Sequence, residues 1–232
     1  MRTRRQLRRV HIWLGWTVGI PLLLWTVTGA LMVLFPIDVV RGEHLLSPAP
    51  SVTLAAPPVP PALGTRPLKS LTLEQRAGGP RWLIRYADGE AALADPASGA
   101  PLPALSAADA VAEVRGRYLG EEGIAAVDRT AADEPPLELR RPLASWRVTM
   151  TDGTRFYVDA GTGEIVARRT ALWRFYDFLW GLHILDLGAR EDVNNIWVRI
   201  FAWIGAISTI IGLILLPMVS RRRARRREAA DG

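Results

Sequence analysis

The sequence has no cysteine and only three histidines, His11, His44 and His183. Without cysteine the chain has no disulfide, no thiolate metal ligand and no cysteine nucleophile. The His-Glu-x-x-His motif of zinc hydrolases and the Gly-x-Ser-x-Gly motif of serine hydrolases are also absent. These absences give no support to an independent hydrolase, and they leave the question of an enzymatic role open.

The net charge of +6 comes from the two ends of the chain. Eleven of the 29 basic residues are arginines at the ends, and the stretch 10–219 between them has a net charge of −3. Arginine clusters beside apolar segments are typical of cytoplasmic membrane flanks. We therefore predict cytoplasmic basic tails at 1–11 and 220–232. We expect no nucleic-acid partner, because the chain has no groove-reading motif.

The first long apolar run, 12–35, contains 24 residues and no charge. A helix of that length spans about 36 Å, enough to cross a hydrocarbon layer of about 30 Å. The alternative, a cleaved secretory signal, needs a shorter apolar core and a small-x-small site after it. This run is longer and ends in Met32-Val-Leu-Phe-Pro36, which is not such a site. We therefore predict a retained transmembrane helix. Its Gly15 and Gly19 form either a face for another helix or a lipid-facing pair without a partner.

A second apolar run at 196–219 is interrupted only by Arg199. With arginines outside both runs, the positive-inside rule predicts two passes, with both termini in the cytoplasm. Small residues along the second run indicate that the spans pack together or against a second copy. We expect a bacterial inner-membrane protein that contacts the lipid bilayer, with the residues between the spans in the periplasm.

Between the spans we predict three segments. Proline and alanine dominate much of 36–67, which indicates a semi-rigid linker in extended geometry. Residues 68–170 form an α+β domain, and 171–195 form an amphipathic interfacial segment with aromatic residues suited to the membrane surface.

An internal repeat marks the α+β domain. Residues 82–99 align with 146–163 at a constant offset of 64, and each copy has an Asp-Gly turn between two short strands. The aspartates are candidates for metal or acid-base chemistry, but aspartate before glycine first predicts a turn. A helix is predicted from the N-cap Ser106 to Gly120, and weaker strands at 124–131 and 137–143.

The repeat and the spans together resemble a known family. The run Tyr157-Val-Asp-Ala-Gly-Thr-Gly-Glu-Ile165 is similar to the closing strand of a PepSY domain, and Arg8-Arg-Val-His-Ile-Trp-Leu-Gly15 resembles the first helix of the PepSY-associated transmembrane family. The resemblance implies a membrane protein whose two transmembrane helices flank an extracytoplasmic α+β domain built from PepSY-like repeats. Larger members of that family have four or more spans, and this chain has two.

The same resemblance implies a cofactor, because the family includes haem-containing reductases for iron-siderophores. His11 and His183, which border the two spans, are the candidate ligands of a haem b iron. They are expected on opposite membrane faces, about 30 Å apart, and so cannot bind the same iron. A bis-histidine haem would then need a second copy or another membrane protein. The alternative is that both histidines only anchor helices at the interface.

Two functions follow from these observations. The first is a haem-binding redox accessory in iron or siderophore metabolism, acting as a homodimer or with a membrane-protein partner. The second is a non-enzymatic periplasmic binding module that regulates a peptidase or envelope partner, since soluble PepSY domains resemble inhibitory propeptides. His44 is expected to be exposed to solvent.

Overall fold

A computed structural model of the chain describes residues 2–228, with side chains at 5–6 and 8–217. Residues 229–232 of the predicted basic tail lie outside the described residues. The chain divides into two compact units, one formed by the described parts of 1–35 and 176–232, the other by 36–175, which we call the middle domain. In chain order the elements are α1 (Arg2–Val33), α2 (Ile37–Val40), a 3₁₀ turn (Glu43–Leu45), β1 (Leu68–Arg76), β2 (Gly79–Tyr86), β3 (Ala91–Ala94), β4 (Pro101–Leu102), α3 (Ala107–Arg117), β5 (Ile124–Thr130), β6 (Ser145–Met150), β7 (Arg155–Asp159), β8 (Ile165–Arg169), α4 (Ala171–His183) and α5 (Ile196–Glu228).

Within residues 2–228, two helices are long and apolar enough to cross a membrane. The candidate spans are Arg8–Val33 in α1, with mean hydropathy 1.6, and Ile196–Pro217 in α5, with mean hydropathy 2.2. Large apolar side chains on both helices point outward, among them Trp16, which is 74% exposed, and Trp203, which is 71% exposed. Such exposed apolar surface is stable in lipid and costly in water. The chain is a membrane protein with a sheet-rich region between two apolar helices.

The two long helices pack in opposite directions. A Cβ added to Gly205 would lie 3.9 Å from Cγ1 of Val18, and one added to Gly212 would lie 3.0 Å from Cε1 of His11. Because later residues of α5 meet earlier residues of α1, the pair is antiparallel. The small residues of α5 permit this approach, which is how helices pack where no water drives them together.

The middle domain contains two four-stranded antiparallel sheets, in the orders β1-β2-β3-β4 and β5-β6-β7-β8. One hydrophobic core joins them. It receives Leu83 and Leu93 from the first sheet, Val148 and Phe156 from the second, and Val114 from α3, each at most 3% exposed. Helix α3 therefore contributes to the core that the two sheets share, and the middle domain is α+β.

The central hairpins of the two sheets have the same register. Trp82 pairs with Ala94 in the first sheet, and Trp146 pairs with Val158 in the second, both at the offset of 64 found in the sequence. Glycines at equivalent turn positions have positive φ angles, 92° at Gly89 and 80° at Gly153, for example. The sequence repeat thus corresponds to two hairpins of equal geometry.

Helix α3 begins where the sequence predicts and ends earlier. Ser106 and Asp109 form a reciprocal capping box at its start, which confirms the predicted N-cap. The helix stops at Arg117 rather than Gly120, because Tyr118 takes an extended conformation and forms a β-bridge with Leu46. A contact distant in sequence therefore ends the helix before glycine does.

The strand predicted at 137–143 is wrong, whereas the one at 124–131 is close to β5. Residues 137–143 contain turns and bends, and Arg140 has a φ of 56°. Leu139, 2% exposed, packs with Tyr157 on the outer face of the second sheet. The Tyr157 hydroxyl donates to Oε1 of Glu138 at 2.5 Å, and burial is the main cause that raises the pKa of this tyrosine. Residues 137–143 therefore form a loop that covers one face of the second sheet.

The proline-rich segment 36–67 contacts other parts of the middle domain. Val40 and Leu46 are buried, and Leu63 packs beside Ile84 on the first sheet. The N–H of Val59 donates to the Pro96 carbonyl, and its carbonyl accepts from the Trp82 indole, both at 2.8 Å. Proline has no N–H, so an extended proline-rich chain can lie on a sheet with few hydrogen bonds of its own.

This contact generates the first prediction, for the pair Gly99→Ala and Gly89→Ala. Both glycines have positive φ, 73° and 92°, so alanine costs each about 1 kcal/mol in backbone strain. A Cβ at Gly99 would also lie 2.7 Å from the Pro60 carbonyl oxygen, whereas one at Gly89 meets nothing within 4 Å. We expect Gly99→Ala to lower the free energy of unfolding by about 1–3 kcal/mol more than Gly89→Ala, measured by denaturant titration in detergent. Equal losses would contradict the docking of 59–60.

Candidate functional site

His183, the last residue of α4, lies among aromatic residues of the unit formed by the described parts of 1–35 and 176–232, which we call the membrane unit. Its ring stacks on Trp25 of α1, with centroids 4.8 Å apart and an interplanar angle of 21°. The ring of Trp180 is also nearly parallel to it, at 6.4 Å and 20°. The plane of the imidazole is therefore set by two indoles, one on its own helix and one on the first membrane helix. We call His183, Trp25, Trp180 and Thr28 the His183 cluster.

A hydrogen bond orients the ring within its plane. Nδ1 of His183 lies 3.0 Å from Oγ1 of Thr28, a residue that is 2% exposed. The Thr28 hydroxyl also lies 2.8 Å from the carbonyl oxygen of Leu24. Since a hydroxyl has one proton, we assign that proton to the Leu24 carbonyl and let His183 Nδ1–H donate to Oγ1. In this tautomer the lone pair of His183 is on Nε2, for which the described residues provide no hydrogen-bond partner.

A glycine makes room for the ring. A Cβ on Gly29 would lie 3.2 Å from Cε1 of His183, closer than most real Cβ contacts. Thr28 therefore supplies a polar partner for the imidazole of His183, and the neighbouring Gly29 lets the ring lie close to the α1 backbone.

The chain after His183 is held against α4 by buried polar contacts. Asp177, 5% exposed, accepts from Nη1 of Arg190 at 2.8 Å, and the Trp180 indole donates to the Arg190 carbonyl at 3.1 Å. Asp186 accepts from the backbone N–H groups of Glu191 and Asp192, which are the main cause that lowers its pKa. These contacts fix the carboxyl end of α4, and with it the backbone of His183.

His11 lies in a different environment on α1. Its ring abuts Gly212 of α5, and its Nδ1 is buried without a hydrogen-bond partner among the described residues. Among the described side chains, none orients this ring as Thr28 orients His183. Burying an imidazole nitrogen unpaired costs about 1–3 kcal/mol, so this atom needs a physical explanation.

A cleft of about 350 Å³ lies between α1 and α5 and begins at His11. It is lined by small, apolar and aromatic residues together with two hydroxyl groups: His11, Gly15, Val18, Gly19, Leu22, Trp25, Phe201, Ala202, Gly205, Ala206, Ser208 and Thr209. Gly15 and Gly19 of α1 line this space, and a Cβ on either would meet nothing within 4 Å. These two glycines therefore border a gap between the helices and form no tight contact with α5.

His11 and His183 are well separated. His183 contacts Thr28, which follows His11 by 17 positions in one continuous helix. At 1.5 Å per residue this places the two sites about 26 Å apart along α1. One iron cannot contact both side chains of a single chain.

The aspartates of the repeat form turns, as predicted. Asp88, Asp95, Asp152 and Asp159 each accept from the backbone N–H two residues ahead. No group of three or more histidine or acidic side chains within 2–228 has the arrangement of a metal site. His44 is exposed, as expected.

Sequence reasoning singled out His183 but missed Thr28, Gly29 and Trp25. These residues lie 154 or more positions away, and their own segment has only the pattern of a membrane helix. Trp25 and Thr28 are three residues apart and therefore share a helix face, which is the one local signal of a shared site.

Comparison with known proteins agrees with this architecture. A family model described as the PepSY-associated TM region matches residues 8–231, which include both candidate spans and the middle domain. No curated protein and no solved structure matches the chain. Because the matched residues cover nearly the whole sequence, the chain belongs to the PepSY-associated TM region family.

Proposed function

We propose that the chain is a two-pass protein of a bacterial inner membrane, with both termini in the cytoplasm. The antiparallel pairing of α1 and α5 supports a topology with both termini on the same side of the membrane. The arginine clusters at both ends favour the cytoplasmic side. In this arrangement residues 68–170 are a periplasmic domain with PepSY-like repeats at 82–99 and 146–163, and 171–195 lie at the outer interface.

In that membrane the protein acts as a haem-binding redox accessory, in which Nε2 of His183 would bind the haem iron. The observation that carries this proposal is that the two ring nitrogens of His183 differ in their contacts. Nδ1 is engaged by Thr28, and Nε2 has no partner among the described residues. A metal-binding histidine is commonly held in this way, because a hydrogen bond at one nitrogen fixes the tautomer and raises the basicity of the other.

A second histidine ligand would come from outside the chain. The other candidate ligand, His11, is about 26 Å from the His183 cluster along α1 and cannot reach the same iron. A second copy of the chain contributes its own His183, or a membrane-protein partner contributes another ligand. A bound haem b supplies one-electron transfer, and iron complexes such as iron-siderophores are the class of acceptor that the family suggests.

The test is the absorption spectrum of protein purified in detergent from haem-replete cells. We expect a Soret band in the wild-type protein and in His11→Ala, and its loss in His183→Ala. A colourless wild-type protein, or a band that depends on His11 and not on His183, would contradict the assignment.

A matched pair of threonine variants tests the role of Thr28. Thr28 and Thr26 both contact the carbonyl oxygen four residues earlier, but only Thr28 contacts His183. We expect Thr28→Val to weaken haem retention about 10-fold or more and to shift the reduction potential, whereas Thr26→Val leaves both unchanged. Haem titration and spectroelectrochemistry measure the two effects. Identical behaviour of the two variants would show that the Nδ1 contact does not tune the ligand.

A second function, a binding module for a peptidase or envelope protein, is favoured by a groove in the middle domain. This groove of about 630 Å³ is lined by residues from both repeats, including Arg85, Glu90 and Asp159, and by Glu164, which follows the second repeat. Mixed charges beside a concave surface suit an extended polypeptide with polar side chains. Under this function the histidines are dispensable.

Complementation of a deletion strain separates the two functions. If the protein is a redox accessory, His183→Ala abolishes rescue of iron-limited growth, and the charge reversal Arg85→Glu, at a surface ion pair with Glu164, has little effect. The reverse pattern would favour the binding module.

A further inference from the structure

The charges of the middle domain are distributed unevenly along the chain. Residues 68–135 contain seven basic and eleven acidic side chains, whereas 136–175 contain seven arginines and four acidic side chains. We propose that the basic part binds the anionic headgroups of phospholipids at the membrane surface, through Arg174 and the residues around Trp173. This inference rests on the proposed topology, in which 171–195 lie at the outer interface, and it does not require haem.

Three arginines lie close to Trp173, which is in the first turn of α4. The guanidinium carbon of Arg169 lies 4.0 Å from the centroid of the Trp173 ring, and that of Arg140 lies 5.6 Å from it. Nη1 of Arg174 donates to the carbonyl oxygens of Arg169 at 3.1 Å and Gly153 at 3.2 Å. Three positive charges therefore lie near one indole. We call Trp173, Arg140, Arg169 and Arg174 the Trp173 patch.

A ligand can reach the patch, because several of its donors are accessible. Arg174 and Trp173 are both partly exposed. Nε and Nη2 of Arg174 and Nε1 of Trp173 have no hydrogen-bond partner among the described residues, and none of these three atoms is buried. The partners of Arg174 are neutral carbonyl groups, so its positive charge is not cancelled by an ion pair. A phosphate oxygen at this position would gain both a charged partner and hydrogen bonds.

The place of the patch in the chain favours a lipid over a soluble acidic partner. The membrane unit begins at Tyr176, two residues after Arg174, and two residues of chain span at most about 7 Å. Phe175, between them, is 46% exposed. A tryptophan, an arginine and an exposed phenylalanine in succession are typical of a helix in the lipid interface. In the proposed topology lipid headgroups therefore surround the patch, whereas an acidic protein would have to be recruited.

The charge of the patch selects anionic over zwitterionic headgroups. An arginine near a membrane surface increases the affinity for anionic lipid about fivefold. The choline group of phosphatidylcholine cancels the charge of its phosphate, so this lipid gains much less from the same guanidinium. Phosphatidylglycerol has the phosphate charge and no cation, and a guanidinium can donate two parallel N–H groups to that phosphate.

A matched pair of variants separates the charge of Arg174 from its shape. Arg174→Lys keeps the positive charge, and Arg174→Gln removes it but retains N–H groups for the backbone carbonyls nearby. Arg115→Gln is the control, because Arg115 is exposed on α3 in the acidic part of the domain. The sequence has no cysteine, so Ala171→Cys provides one attachment point for a fluorophore at the exposed first residue of α4.

The experiment measures quenching of this fluorophore in the full-length protein, in nanodiscs that hold one chain each. The discs contain equal parts of phosphatidylcholine and phosphatidylglycerol, and a trace of either lipid carries a nitroxide at the top of one acyl chain. We expect labelled phosphatidylglycerol to quench about fivefold more than labelled phosphatidylcholine in Ala171→Cys alone and with Arg174→Lys or Arg115→Gln. Arg174→Gln should remove most of this preference. About 1 M salt, which shortens the Debye length to about 3 Å, should abolish it in Ala171→Cys alone.

Three results would overturn the proposal. The first is equal quenching by the two lipids in Ala171→Cys alone, and the second is a preference that neither Arg174→Gln nor salt reduces. The third is a preference that appears only in discs with two chains, which would assign the patch to the acidic part of a second copy. Thermal unfolding establishes that each variant is folded. If Arg174→Gln unfolds, the salt titration of Ala171→Cys alone decides between the outcomes.

The topology on which the proposal rests has a separate test. A membrane-impermeant maleimide should label Ala171→Cys from the periplasmic side of intact inner membranes. Labelling only from the cytoplasmic side would contradict the topology. The lipid preference is measured in discs that are open on both sides, so it can be present or absent whichever side the patch occupies.

Discussion

The antiparallel contact between α1 and α5 is the constraint on which the membrane unit depends. In lipid, apolar side chains gain little by meeting one another, so two helices associate where small residues let their backbones approach. Gly205 and Gly212 provide that approach on α5, opposite Val18 and His11. The same pairing leaves open space beside Gly15 and Gly19, so the helix contact also determines where a cleft remains.

The membrane unit and the middle domain are stabilised by different forces. The middle domain has a water-excluded core in which hydrophobic burial dominates, with Val114 and Phe156 fully buried between two sheets. The membrane unit has few buried side chains, and its specificity comes from polar contacts such as Thr28 with His183 and Asp177 with Arg190. Substitutions in the middle domain should therefore act mainly on core packing. Substitutions in the membrane unit should act mainly on the orientation of single polar side chains.

Local patterns were sufficient to predict the elements and insufficient to predict the site. The apolar runs, the Ser106 cap and the aspartate turns are encoded within a few residues, and the structure has each of them. The strand predicted at 137–143 is wrong because Leu139 packs, as part of a loop, on a face formed by distant strands. The contacts that the proline-rich segment 36–67 makes with the first sheet are also long-range, so its composition does not predict them. His183 was identifiable as a rare residue type, but its partner Thr28 is 155 positions away, and only the tertiary fold brings the two together.

The pairing of the two helices is tested most directly by cross-linking, since the natural chain has no cysteine to interfere. In Val18→Cys/Gly205→Cys the new thiols should form an intrachain bond on mild oxidation in the membrane. Val18→Cys/Trp203→Cys, with its second thiol at a site whose native side chain is 71% exposed, should not. A band that migrates as an oxidised monomer only for the first pair is the result that the account predicts. Equal cross-linking of both pairs, or cross-links only between chains, would contradict it.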